Sequence, residues 1–203
     1  MKLYTSLLTL LFLTGISCKE TNQSSSTHNE STDAVNTEVV TKSKSTNRTY
    51  LCKINDKDWS YTKASGIVSR HKKTKKRTAI ITFTNKLDKG SESVQLSYDG
   101  DSYQLESASI QLRLPKKGGG MMTAFYQMFP DMRERYPESD ISGTLDLTDP
   151  TAASGNAELS KLNVRWEKEN LEDPANSVIT LTGIKFSDIG YSDSERLFGS
   201  KNN

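Results

Sequence analysis

From residue 78 to residue 186 apolar side chains recur at every second position, in one run after another. In RTAIITFTN, Ala79, Ile81 and Phe83 alternate with Thr78, Ile80, Thr82 and Thr84; in SVQLSY, Val94, Leu96 and Tyr98 alternate with Gln95 and Ser97. SIQLRLP sets Ile110, Leu112 and Leu114 against Gln111 and Arg113, GTLDLT sets Leu145 and Leu147 against Asp146, and KLNVRWEKE sets Leu162, Val164 and Trp166 against Asn163 and Arg165. Successive side chains of an extended strand point to opposite faces, so each run has one face for a core and one for water. That is the pattern of antiparallel sheet. The last run, SVITLTGIKF, changes parity at Gly183, with Ile179 and Leu181 before it and Ile184 and Phe186 after it. A glycine where the parity slips predicts a bulge.

Turn signals punctuate the runs. NDKD at 55–58 joins TYLCKI to WSYT, HKKTKK at 71–76 joins two strands, YDGDSY at 98–103 carries an Asp-Gly hairpin signal, and DPTAASGN at 149–156 makes another connection. The spacing predicts about eight or nine strands in an all-β, mainly antiparallel domain over residues 49–190, a sandwich or a barrel. Residues 191–203 read as a flexible tail. One stretch departs from the period of two: KKGGGMMTAFYQMFPDMRERYPESD, 116–140. There Phe125, Met128, Phe129 and Met132 fall at i, i+3, i+4 and i+7, a helical stripe. It predicts a short helix near 121–129, stopped or kinked by Pro130, then a turn begun by Pro130-Asp131, the whole capping one end or face of the β structure.

The N-terminus carries Lys2, the apolar run LYTSLLTLLFL from Leu3 to Leu13, and the small residues of Gly15-Ile16-Ser17 before Cys18. A basic start, a short apolar run and a small-x-small site predict a signal peptide over 1–17. The run is shorter than the ~20 residues that span a bilayer. The stretch also resembles the bacterial lipobox, in which small residues precede a Cys that takes a diacylglyceryl thioether, although Gly15 stands where Leu is usual. Cys18 is therefore the expected lipidation site. Residues 18–48 are rich in Ser, Thr, Asn, Glu and Lys and hold no aromatic residue. They cannot bury enough apolar surface to offset their ordering entropy, and read as a disordered tether with a reach of roughly 30 Å. The expectation is a bacterial cell-envelope, outer-membrane lipoprotein, partnered with the membrane through the lipid on Cys18. Its periplasmic or surface face is left open.

Removing the signal and tether leaves about 155 residues, enough for one domain with a real core. A net charge of +2 argues against a nucleic-acid binder. Catalytic equipment is scarce. The two histidines are His28, in the tether, and His71, in a basic turn, so a Ser-His-Asp or Cys-His site has no suitable imidazole. No zinc set is visible, and no metal or other cofactor is expected. Asp99, Asp101, Asp131, Asp146 and Asp149 lack a fixed calcium-loop spacing and read as turn residues; Glu134, Glu138 and Asp140 read as a solvated face. Cys52, in TYLCKIN, reads as a small buried hydrophobe; were Cys18 free, the two would become a possible disulfide.

CKINDKDWSY at 52–61, GDSYQL at 100–105, SGTLDLT at 142–148 and ITLTGIKF at 179–186 resemble the motifs of an uncharacterised domain family of Bacteroidetes lipoproteins, which opens on KINGKxW. The likeness spans roughly residues 48–190, with Asn55-Asp56 in place of the usual Asn-Gly and a Met-rich insert. It implies a secreted, lipid-anchored β domain and no particular activity.

Two surfaces are candidates for binding a protein, glycan or anionic lipid. SRHKKTKKRT places Arg70, Lys72, Lys73, Lys75, Lys76 and Arg77 on a hairpin tip suited to phosphates, or simply to water. KKGGGMMTAFYQMF offers Met121, Met122, Phe125 and Met128 as an adaptable apolar surface, with three glycines before the expected helix suited to an anion. Trp59 with Tyr61, and Trp166, read as core anchors or a sugar-stacking platform. These features point to a non-catalytic binding domain. A carboxylate hydrolase, carbohydrate-active or other, and a structural envelope component are the alternatives.

Overall fold

The computed structural model describes residues 47–198. Eleven strands follow in chain order: β1 (Thr49–Ile54), β2 (Lys57–Tyr61), β3 (Lys63–Arg70), β4 (Arg77–Lys86), β5 (Ser91–Asp99), β6 (Leu105–Pro115), β7 (Met121–Met128), β8 (Asp140–Ser142), β9 (Leu145–Asp146), β10 (Ala152–Asn163) and β11 (Val178–Asp193). Among the described residues, helix is confined to α1 (Ser194–Phe198) and the 3₁₀ turns Pro130–Met132, Lys168–Asn170 and Pro174–Ser177. The strands lie in the order β2-β1-β11-β3-β4-β5-β6-β7, and β10 pairs with β11 on one edge and with β8 and β9 on the other. The sheet does not close, so of sandwich and barrel the sandwich-like arrangement is the one formed. Every strand pair is antiparallel except the end of β11 against β3.

The alternation becomes the core. Ala79, Ile81 and Phe83 of β4 and Val94, Leu96 and Tyr98 of β5 are all fully buried. Ile110 of β6 joins them, opposite Leu159, Leu162, Ile179 and Leu181 from the other half of the sheet. Phe83 and Phe186 meet edge to face with ring centroids 5.3 Å apart, and the Tyr98 hydroxyl donates to the Asn156 carbonyl at 3.0 Å, tying β5 to β10.

β11 is sixteen residues long and belongs to both halves. Its first part pairs with β10 and β1; its end, Tyr191 to Asp193, runs parallel to Gly66, Ile67 and Val68 of β3. Bulges let the β10–β11 ribbon bend that far. The register steps from Ala157↔Ile184 to Leu159↔Leu181, leaving one extra residue on β11 at Gly183, whose φ is +71°. This is the bulge that the parity change predicts. Further slips at Asp188 (φ +57°) and Lys161 (φ +53°) repeat the device on β11 and β10.

The structure corrects the connection expected at 149–156, whose residues from Ala152 on belong to β10, and the run KLNVRWEKE, which leaves β10 after Asn163 and exposes Trp166. It corrects three further expectations. Residues 121–128 are strand β7, not helix: Met122, Ala124, Tyr126 and Met128 alternate inward and pair in register with β6. The helical stripe is a coincidence: Phe125 and Met128 lie on opposite faces of β7, and Phe129 and Met132 lie beyond it in the turn at Pro130; only Thr123 and Gln127 mark the outer face of β7 as polar. The turn at Pro130 does form, as the 3₁₀ segment Pro130–Met132. The described residues form eleven strands where about eight or nine are expected, because β7 joins the list and β8, only three residues long, carries no alternation to mark it. The chain also stays ordered past residue 190. Tyr191 to Asp193 complete β11 and α1 follows, so the expected tail boundary falls inside a strand. Polar GYSDSE hides this, because these residues are held by ladder bonds and ion pairs rather than by apolar burial.

Candidate functional site

A cleft of about 350 Å³ opens where the β1–β2 hairpin, the ends of β5 and β6, and the loop at 172–176 converge. Its geometry begins in the hairpin turn. Asn55 and Asp56 both have positive φ, +46° and +65°, the two-residue turn whose twist matches its strands. Asn55 then fastens the hairpin to β11: its Nδ2 donates to the Val178 carbonyl at 3.1 Å, and its Oδ1 accepts from the Thr180 N–H at 2.9 Å. One carboxamide thus satisfies the backbone where the β1–β11 ladder ends.

That anchorage sets Trp59 into the wall. The indole is 7% exposed, and its N–H donates to Glu92 Oε2 at 3.0 Å. Glu92 Oε2 also accepts from Asn85 Nδ2 at 3.2 Å, and its Oε1 takes the Arg113 backbone N–H at 3.2 Å. The β5–β6 register ends at Ser93↔Gln111, so the carboxylate replaces the missing ladder acceptor. Buried Ile54, Leu112 and Ile179 are apolar lining, with Leu114 and Pro115 beside them. The opposite wall holds Glu172, whose N–H donates to the Pro115 carbonyl at 3.1 Å, and Asp173, whose Oδ1 caps the Pro174–Ser177 turn at the Ala175 N–H, 2.9 Å away.

The charge of this lining is one-sided. Asp58, Glu92, Glu172 and Asp173 face a single cation, Lys57. Asp58 lies 3.9 Å from Lys53, whereas Glu92, Glu172 and Asp173 form no ion pair among the described residues. The volume sits at the small end of the ~300–1,000 Å³ range of ligand sites.

The basic hairpin divides into two parts. Arg70 Nε reaches Glu195 Oε1 at 2.7 Å, Lys76 pairs with Glu106 at 2.6 Å, and Arg77 pairs with the buried Asp193 at 3.0 Å. These three hold the end of β11 and α1 to β3 and β4, and the strand pair to β6. Lys72, Lys73 and Lys75 stand exposed at the tip, with no ion pair among the described residues. The apolar candidates also separate. Met122 and Met128 are core residues, 8% and 1% exposed, while Met121 and Phe125 lie on the outer face of β7. Phe125 meets Trp166 edge to face at 5.7 Å, and the Arg165 guanidinium lies 5.6 Å from the Trp166 ring centroid. Trp59 and Trp166 line different concavities and form no common platform, and Tyr61 packs on Phe83 at 5.1 Å. Lys116 and the three glycines form the β6–β7 turn, with φ of +80°, +100° and +82° at Gly118, Gly119 and Gly120, so the anion site at a helix start has no helix.

Four further titratable groups are tied to their local structure. Burial first, and the Glu158 charge second, push the Cys52 thiol up to about 12. Asp99, Asp146 and Asp149 are held below the usual carboxylate range by hydrogen bonds from their own turns, led by the Ser102 N–H, the Thr148 hydroxyl and the Thr151 N–H. No group of three or more His, Cys, Asp or Glu is arranged to hold a metal among the described residues, and no helix among them is long and apolar enough to cross a membrane. Cys18 lies outside the described residues, with the signal and nearly all of the tether. Glu92 and Glu172 line the cleft, and Asn85 orients Glu92, without any sequence signal: each looks like an ordinary polar residue at a strand end or turn; of Asn55 the sequence marks only the turn. Comparison with protein-family models, curated proteins and solved structures finds no match to this chain.

Proposed function

We propose that this chain is a lipid-anchored cell-envelope protein whose β domain binds a ligand or partner without catalysing a reaction, and that the Trp59–Glu92 cleft is where it binds. The reading is supported at one end by the signal-like run, the lipobox-like Gly15-Ile16-Ser17-Cys18 and the polar tether. At the other end, the carrying observation is the cleft itself: apolar walls, an indole fixed by hydrogen bonding, and carboxylates without ion-pair partners among the described residues. Convergent polar groups in a largely apolar concavity are the usual form of a small-ligand site.

The two tryptophans make a direct test. A full-length chain carrying ¹⁵N-labelled indoles is titrated with a soluble extract of its own envelope. Binding at the cleft moves the Trp59 resonance saturably and leaves Trp166 in place; an unmoved Trp59 removes the cleft from the account. Loss of fatty-acid label in Cys18→Ala is the expected result for the anchor.

A carboxylate hydrolase is the second reading, favoured by Asp58, Glu92 and Glu172 lining one cleft. Glu92 already accepts three hydrogen bonds from the wall, which suits a fixed binding group better than one that must exchange partners during turnover. Turnover of an envelope glycan that disappears in both Glu92→Gln and Glu172→Gln would establish the hydrolase instead.

A further inference from the structure

Building on the cleft as a ligand site, we infer that its ligand is a small organic cation: an ammonium or guanidinium carried on an apolar chain. Three observations converge. The walls provided by Ile54, Leu112, Leu114 and Ile179 suit an aliphatic body. Four lining carboxylates face one lysine although the whole chain is net positive at +2, so the negative excess is local to the cleft rather than a reflection of composition. Glu92 is half-buried and oriented by three neutral donors, the Trp59 indole, the Asn85 amide and the Arg113 backbone N–H, and no cation pairs with it among the described residues.

Neutral donors fix the position of a carboxylate without cancelling its charge. A cation arriving there makes a charge-assisted hydrogen bond with no reorganisation of the wall. A carboxylate or phosphate ligand would instead meet three carboxylates that lack ion pairs. A neutral ligand of the same shape would gain the apolar contacts alone. The volume accommodates a single chain of this kind rather than a folded partner.

A matched series separates these cases. The full-length chain with ¹⁵N-labelled indoles is titrated with n-pentylamine, 1-pentanol and pentanoate at constant ionic strength. The Trp59 N–H, bonded to Glu92, reports on the cleft, and Trp166 is the internal reference. The amine is expected to shift Trp59 saturably and to bind about tenfold or more tightly than the alcohol, the scale of one hydrogen bond to a charged group. Pentanoate leaves the resonance in place. Glu92→Gln and Glu172→Gln are each expected to remove most of the amine's advantage while leaving the alcohol unchanged. Glu172 is exposed, so its variant carries the test even if Glu92→Gln loosens the wall. Equal or tighter binding of the alcohol or the acid at Trp59 overturns the inference and leaves the cleft as a ligand site. If none of the three moves Trp59, the inference also fails. A Trp59 shift with envelope extract then keeps the broader reading, and its absence there removes both.

Discussion

At the scale of single residues, Asn55 shows how much of this fold depends on polar groups that no hydrophobic pattern marks. Asn55 makes two hydrogen bonds to the β11 backbone, at Val178 and Thr180. Asn55→Ala strands both partners and is expected to cost about 2 kcal/mol, read from urea unfolding. Its neighbour Asp56 sits at φ +65°, where glycine is unstrained. Asp56→Gly is expected to be neutral or stabilising by up to ~1 kcal/mol in the same experiment. Cys52 was legible as a buried hydrophobe from its place in a strand, and its burial adds a pH signature. Its folded pKa, about 12, stands above the unfolded value near 9.0. Between those values the unfolded chain loses a proton that the folded chain keeps, so stability falls as pH rises through about 9. Unfolding midpoints compared at pH 8 and pH 10.5 should drop more steeply in wild type than in Cys52→Ala. Equal slopes would remove Cys52 from the alkaline response. Glu92 and Asn85 offered no such clue, because their roles depend on which strand ends meet in space.

The alternating elements were readable because burial on one face imposes a period of two, as β4, β5 and β6 show. β7 reads as helix for a physical reason: its outward position Phe125 is apolar too, and with Met128 and with Phe129 and Met132 of the following turn it completes a false helical stripe. The strand assignment predicts a sharp contrast between neighbours. Met128→Ala, in the core, is expected to cost about 2–5 kcal/mol, whereas Met121→Ala, half-exposed at 51%, should change stability by no more than about 0.5 kcal/mol. The basic hairpin divides in the same way. Arg77→Ala leaves the buried carboxylate of Asp193 without its partner and is expected to destabilise by on the order of 3 kcal/mol, while Lys73→Ala at the tip should leave the unfolding midpoint unchanged. The sequence run SRHKKTKKRT looks like one patch because charge reads the same whether or not an acidic partner lies across the fold. Those partners, Glu106, Asp193 and Glu195, are 30, 116 and 125 residues away from Lys76, Arg77 and Arg70.

At the scale of the molecule, an all-β domain was evident from the runs and turns, but its closure was not. Whether strands make a barrel or an open sandwich depends on where β11 crosses from one half to the other, through bulges of which the sequence pattern marks only Gly183. The cleft was likewise hidden, since it is assembled from β1, β2, β5, β6 and the 172–176 loop. The proposed function joins this cleft to a tether and a lipid on Cys18, giving a binding domain free to sample the volume near a membrane. Three surfaces compete for that role: the cleft, the outer face of β7 and the lysine tip. The most direct measurement places a photo-crosslinking residue at Lys57, Met121 or Lys73, one on each surface, in the full-length protein expressed in cells. Binding at the cleft gives a discrete adduct from position 57 that is lost in Glu172→Gln, and no discrete adduct from positions 121 and 73. Adducts from position 121 or 73 with none from position 57 would contradict it.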